Sequence, residues 1–464
     1  MDVRVKFLGA AKSVTGSKYL LEIDDFKLII DCGLFQGKKE LRRRNWDDLP
    51  QNSDDIDAMV ITHSHIDHIG YLPRLIKQGF NGPIYCTSAT KDLMEIMLKD
   101  SAKIQEEEAA FAKRKGYSKH KDPQPLYGTE DAEAALLNLK ACDYDKNVNV
   151  HHTIGVKFYN AGHILGSTLV EVTLHGNEQD KKIVFSGDLG RYDQPVLRDP
   201  EVIEEADILF VESTYGNKKN PPVSPKDSLA EVVNETVANG GCLLIPAFAL
   251  GRTQLLIYYL KQLLEEGKIP DLPVFIDSPM AIKVTALYKK HFNDHKLREE
   301  ELEDSVFDYK NLRYCKSAQD SKAINDRKKN AIIISASGMC TGGRIIHHLY
   351  HRLPREKDTV LFVGYQAEGT RGRRILEQEE TIRIFGKDVP LNCQVRHING
   401  LSAHADRSEI LRWLGNFKKG PKYTFVVHGE VESATALADS LKQDFQWNAV
   451  VPDYLESFQL FSNI

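Results

Sequence analysis

The chain offers no cysteine pattern that would hold a zinc ion or a disulfide framework. Its seven cysteines (Cys32, Cys86, Cys142, Cys242, Cys315, Cys340 and Cys393) are scattered, odd in number and form no C-x-x-C pair. Free, buried thiols in a reducing cytoplasm are the expectation. No apolar run approaches the roughly 20 residues of a membrane-spanning helix, so no membrane partner is expected. Residues 1–6 alternate apolar and charged side chains, as a strand does and a signal peptide does not. Low-complexity tracts and long internal repeats are also missing. Nor is there a surplus of positive charge: 61 Lys and Arg face 66 Asp and Glu, for a net charge of -5. A polyanionic ligand would have to be drawn by a local basic cleft or by metal ions, not by the charge of the whole chain.

What is present is an ordinary globular composition, 42% hydrophobic and 27% charged over 464 residues, enough for two or three domains of roughly 100–200 residues each. Residues 3–9, 18–23, 26–31 and 58–62 read as strands, the second and third joined at Asp24-Asp25. A helical stretch over 90–113 leads into a basic loop, 113–121. Thr129 is expected to cap the next helix. Strands return at 156–159, 169–174, 183–186 and 208–212. Residues 216–227, with Pro221, Pro222 and Pro225, read as a linker. Beyond it the rhythm becomes strand, loop, helix: 242–246 before 252–266, 274–277 before 282–292, 331–335 before 344–353, and 359–363 before 371–377. That alternation predicts a parallel sheet flanked by helices. Short strands resume at 394–398 and 424–427. One α/β domain inserted into another is the simplest architecture.

Thr62-His63-Ser64-His65-Ile66-Asp67-His68 places four metal-ligand side chains within six residues, directly after a strand. In a tight loop, His63 and His65 can face one metal while Asp67 and His68 turn toward a second, and imidazole with carboxylate suits zinc, with manganese or iron also compatible. A two-metal site needs further ligands from elsewhere. His163, Asp188 and His428 each follow a predicted strand, where neighbouring strands can deliver side chains to one sheet edge. Alone, each is more often structural; their shared placement makes them candidates.

In this order, His63-x-His65-x-Asp67-His68, His163 and Asp188 resemble the motifs of the metallo-β-lactamase fold, and Asp31 matches that family's first motif, which orients the metal loop. Glu212-Ser213-Thr214-Tyr215, Ser402-Ala403-His404-Ala405-Asp406 and His428-Gly429-Glu430 resemble the three added motifs of its β-CASP group of RNA- and DNA-processing nucleases. The resemblance covers essentially the whole chain. It implies a four-layer αββα metallo-β-lactamase domain carrying an inserted α/β β-CASP domain, with residues 1–213 and 391–464 forming the first and 214–390 the insertion. It also implies two Zn2+ ions (Mn2+ or Fe2+ as alternatives): one held by His63, His65 and His163, the other by Asp67, His68 and His428, with Asp188 bridging. Glu212 and His404 would form a pair acting on the leaving group, so Asp67, Asp188, Glu212 and His404 are the expected catalytic residues. A histidine at position 428 is associated in this group with RNA substrates, which makes single-stranded RNA the expected partner.

The expected reaction is phosphodiester hydrolysis by metal-activated hydroxide, leaving 5′-phosphate and 3′-hydroxyl ends. The residues within the His63–His68 cluster look more like those of processing endonucleases than of ribonuclease J. Endonuclease action is therefore the first expectation and 5′→3′ exonuclease action the alternative. A small-ester hydrolase of the same fold would lack the inserted domain and the His404 and His428 motifs. A non-catalytic RNA-binding subunit would typically lack metal ligands. Phosphate contacts are expected from the glycine-rich loop Ser335 to Arg344, namely Ser337, Gly338, Thr341, Gly342, Gly343 and Arg344, where backbone N–H groups lead into a helix. Arg252 and Arg371 open two further basic helices, and with Lys12 and Lys38 they are candidates for local positive charge. A homodimer is left open.

Overall fold

Runs such as Val3–Phe7, with every second side chain buried, form strands because their alternating apolar residues can line one face of a sheet. The computed structural model describes residues 1–115, 122–220, 223–297 and 306–464. They divide into two units: residues 1–194, 198–219 and 404–464, and residues 195–197 and 220–403.

The first unit holds two seven-stranded sheets. One runs Ser457–Phe461, Val3–Phe7, Tyr19–Ile23, Phe26–Ile30, Ala58–Val60, Ile84–Thr87, Leu139–Cys142. The other runs Ala449–Val450, Tyr423–Val427, Ile208–Glu212, Lys181–Phe185, Thr168–Leu174, Ile154–Asn160, Val148–His151. Between them lies a core in which Phe7 approaches Phe425 and Phe210 at ring-centroid distances of 5.1 and 5.7 Å. A second core packs Leu72, Leu75, Met94 and Leu98 from the helices Leu72–Lys77 and Ser88–Lys115 under the first sheet. A third packs Trp413, Leu437 and Leu441 from Arg407–Leu414 and Val431–Asp444 under the second. Helix, sheet, sheet, helix is the four-layer order anticipated.

The second unit is built on a six-stranded, fully parallel sheet: Leu312–Tyr314, Val274–Ile276, Ile332–Ser335, Leu243–Pro246, Thr359–Phe362, Gln394–His397. Gln394–His397, assigned from sequence to the returning segment, is hydrogen-bonded here, its short run paired with Thr359–Phe362. Other local differences have plain causes. Pro225, taken as linker, is the first residue of the helix Pro225–Ala238, whose N-cap Ser224 accepts a bond from the Asp227 amide; proline suits that position because its N–H would be unpaired anyway. Pro221 and Pro222, and residues 116–121 of the basic loop, lie outside the described residues. Thr129 is not a cap but the first helical residue after Gly128, with both its amide and hydroxyl bonded to the Glu106 carboxylate. No helix among the described residues is long and apolar enough to cross a membrane.

Candidate metal centre

Strand ends build the site. His63 follows Ala58–Val60, and His65 caps the one-turn helix Ile66–Ile69 that carries Asp67 and His68. His163, Asp188 and His428 come just after Ile154–Asn160, Lys181–Phe185 and Tyr423–Val427, and Glu212 ends Ile208–Glu212. His404 is brought in by a β-bridge to Gly190. Close backbone approach makes this possible: a side chain on Gly33 would collide with the Asp67 carbonyl. His428 itself takes a left-handed φ of 48°, held by its amide bonded to the Ala10 carbonyl.

The ligand atoms fall into three sets, each within 4.8 Å: His63, His65, His163 and Asp188; Asp67, His68 and His428; and Asp188, Glu212 and His404. Every metal and catalytic candidate from the sequence lies in one of them. The Nε2 atoms of His63 and His163 face His65 Nδ1 at 3.1 and 3.2 Å and lie 3.4 and 3.5 Å from Asp188 Oδ2. His68 Nε2 is 3.2 Å from His428 Nε2 and 3.4 Å from Asp188 Oδ1, and His428 Nε2 is 3.6 Å from Asp67 Oδ2. Beside them His404 Nδ1 meets Glu212 Oε1 at 3.0 Å.

Burial and charge set the protonation states. Burial pushes His63 down to about 3 and His65 down to about 4, with the neighbouring His68 adding to both effects, so both rings are neutral donors near pH 7. Burial would also lower His68, but the Asp188 and Asp31 carboxylates hold it well above the usual histidine range. Burial alone would raise Asp67 and Asp188, yet the surrounding histidines hold both below the usual carboxylate range. Neutral rings with ionised carboxylates are the forms that bind metal; His63, His65 and both carboxylates already have them, whereas His68 would have to give up its proton to a cation. The fit of the residues to metal rests on Asp188 Oδ1, which is buried and makes no hydrogen bond. An unbonded buried carboxylate oxygen among convergent ring nitrogens is costly unless a cation neutralises it.

Of the layer behind these side chains, sequence reasoning found Asp31 and missed the hydroxyls. Asp31 Oδ2 binds His68 Nδ1 at 2.7 Å and Thr62 Oγ1 at 2.8 Å, and the Thr62 hydroxyl also reaches His63 Nδ1 at 3.1 Å. Thr214 Oγ1 lies 3.1 Å from His428 Nδ1, and Ser167 Oγ accepts from the His163 amide. Such partners fix ring orientation and tautomer. Thr62 and Thr214 do sit inside the motifs, but a hydroxyl next to a ligand carries no distinctive pattern of its own.

The glycine-rich loop of the second unit is largely occupied with itself. Ser337 Oγ accepts from the amides of Thr341 and Gly342. Arg344 donates to Asp277 at 2.7 Å and to the Cys315 carbonyl, and Arg371 donates to the carbonyls of Cys340 and Arg383. Gly338 packs against Phe248, Gly343 has a φ of 80°, and a side chain on Gly342 would meet open space. In the first unit Lys12 is paired with Asp453 at 2.5 Å.

Residues 14–235 match the metallo-beta-lactamase superfamily, 253–375 the Beta-Casp domain, and 388–452 the Zn-dependent metallo-hydrolase RNA specificity domain. The chain is 35% identical over 449 residues to Ribonuclease TTHA0252 of Thermus thermophilus, covering 95% of this chain and 96% of that protein. It is 31% identical to the transcription termination factor FttA of Methanocaldococcus jannaschii, over 99% of this chain and 72% of that one. A crystal structure of a protein of unknown function from Enterococcus faecalis V583 shares the fold, with a TM-score of 0.56 at 11% identity, covering 99% of this chain and 100% of that one.

Proposed function

For a chain that belongs to the β-CASP family of metallo-β-lactamase-fold nucleases, we propose a zinc-dependent ribonuclease that cuts single-stranded RNA internally and leaves 5′-phosphate and 3′-hydroxyl ends. The observation that carries the reading is the position of Asp188, which belongs to the His63, His65 and His163 set and lies with its Oδ1 3.4 Å from His68 Nε2, with the Glu212–His404 pair alongside. RNA as substrate is supported by the match to an RNA specificity domain and by the ribonuclease among the relatives. Seven free, buried cysteines suit a reducing cytoplasm.

His63, His65 and His163 would hold one Zn2+, Asp67, His68 and His428 a second, and Asp188 both. When bound, two zinc ions supply Lewis acidity that makes water a better nucleophile and offsets the phosphate's charge. The chain's own residues do the rest. Asp31 and Thr62 hold the His68 ring in place. Glu212 accepts the Leu189 amide at 2.8 Å through the same Oε1 that meets His404, so the carboxylate is fixed while it orients the imidazole. Burial opposes charge on His404, but Glu212 and Asp188 push it up to about 10. It therefore carries a proton at neutral pH and is placed to give it to the departing 3′ oxygen as a general acid. In the second unit Arg344 and Arg371 are committed to protein acceptors and the Thr341 and Gly342 amides to Ser337 Oγ, so the glycine-rich loop would meet a phosphate only by exchanging those bonds.

The test is digestion of 3′-labelled RNA, bearing either a 5′-phosphate or a 5′-hydroxyl, beside matched DNA. Internal fragments from both RNAs are expected, with DNA left intact. Mononucleotides from the phosphorylated RNA alone would replace endonuclease with 5′ exonuclease action, and equal cutting of DNA would overturn the choice of RNA.

A further inference from the structure

The first unit carries a dense group of cations that neither the ligand sets nor the core explains. Between Gly37 and Trp46 the chain reads Lys38-Lys39-Glu40-Leu41-Arg42-Arg43-Arg44-Asn45, in a protein whose net charge is -5. A single helical turn, Lys39–Arg43, presents Lys38, Lys39, Arg42 and Arg43 to solvent. None of these four side chains makes an ion pair or hydrogen bond with the described residues. Like charges four apart on a helix repel, and here the pairs 38/42 and 39/43 do so together. The helix dipole accounts for Arg42 and Arg43 at the C-terminal end, but it disfavours Lys38 and Lys39 at the other. Glu40 in the same turn offsets one of these charges without pairing with any of the four; of the acids beyond, Asp48 is bonded to Gln78, and Asp453 is taken by Lys12.

The segment is also rigidly anchored beside the metal loop. Asn45 binds both the amide and the carbonyl of Phe35. The Arg44 guanidinium stacks 4.0 Å over Tyr454. Leu34 N donates to the Ile66 carbonyl and Gly33 abuts Asp67. Lys38 is five residues beyond Gly33, so its Cα lies within about 18 Å of that contact. Trp46, 54% exposed, closes the cationic run with an aromatic face on which a base can stack.

Building on the ribonuclease reading, we propose that Lys38, Lys39, Arg42 and Arg43, with Trp46, form a track that receives the phosphate backbone of single-stranded RNA next to the metal centre. The track is a surplus of exposed, unpaired cations on an anchored segment with a stacking surface at its end, which is what a flexible polyanion requires.

The variant Lys38→Gln/Lys39→Gln/Arg42→Gln/Arg43→Gln tests it, with fluorescence anisotropy of a phosphorothioate-linked RNA oligonucleotide over a series of NaCl concentrations. Four lost phosphate contacts should flatten the log Kd against log salt slope by about 3, weaken low-salt binding at least about tenfold, and leave zinc content and Tm as in the parent. Substituting the same positions Lys→Arg and Arg→Lys should restore the slope. A folded, zinc-loaded glutamine variant with the parental slope overturns the track; if it misfolds, the Lys38→Gln/Lys39→Gln pair is read by the same criterion. Turnover of bis(p-nitrophenyl) phosphate and of RNA by the unaltered protein is measured alongside. Diester hydrolysis without RNA cleavage removes the ribonuclease reading, whereas the salt slope still decides the track.

Discussion

Both units place charged side chains at the C-terminal ends of parallel strands, yet the two clusters end in opposite states. In the second unit Asp277, just past Val274–Ile276, accepts from Ser321, Arg344 and His348 at 2.6 to 2.7 Å. These donors hold its carboxyl below the usual range against the burial that would raise it. Its charge is answered from within the fold. In the first unit the histidine nitrogens face one another and Asp188 Oδ1 accepts no hydrogen bond, with only the His68 and His428 rings at 3.4 Å. A buried titratable cluster is therefore not a ligand site on composition alone; the difference lies in whether the protein supplies the partners.

The largest expected effect separates the two clusters directly. Asp188→Asn should lower zinc content, read by elemental analysis, and reduce RNA cleavage on the order of a thousandfold or more. Parental zinc and activity would collapse the distinction drawn between the clusters. His404→Asn should slow RNA cleavage roughly a hundredfold or more while zinc is retained. A p-nitrophenyl diester, whose leaving group needs little protonation, should be spared; an equal loss on both substrates would rule out the acid role. In the other cluster, Asp277→Asn should destabilise the fold by roughly 3 kcal/mol, because Arg344 and His348 lose the buried charge they answer. Denaturant titration measures this, and zinc content should not change.

The smallest effect uses a buried charge behind the metal loop. Lys18 donates to the Gly33 carbonyl and lies over Phe35 and Tyr71, and burial pushes its ammonium down to about 8. Between that value and the ordinary lysine pKa of about 10.4, the unfolded chain holds the proton that the folded one has released, so this group makes stability rise with pH. The gain is at most about 3 kcal/mol across the window. Lys18→Met should flatten that rise in denaturant midpoints taken from about pH 8 upward to the ordinary lysine pKa of about 10.4; an unchanged profile would mean that the lysine does not titrate there.

Much of the site was visible in the chain because ligand chemistry is local. His63, His65, Asp67 and His68 sit in one loop, and His163, Asp188 and His428 each follow a strand whose apolar run marks it. The strands that carry these ligands were legible from their apolar periodicity, as were most of the strand–loop–helix pairs of the second unit, whereas short strands such as Ile84–Thr87, Leu139–Cys142 and Ser457–Phe461 were not expected. The helix Pro225–Ala238 escaped notice because proline at a helix start and proline in a linker look alike. Lys12, Arg344 and Arg371 looked like free cations because charge is written in sequence and its neutralisation is not: their acceptors lie 441, 67 and 31 residues away.

The sequence alone determined which atoms can bind a metal and that the chain alternates between two kinds of sheet, since both follow from residue type and short-range periodicity. Only the tertiary structure decided which of those atoms share one point, which are already bonded, and which hydroxyls hold them. Those are properties of distance between residues as far apart as His68 and His428, whose ring nitrogens meet at 3.2 Å across 360 positions of chain.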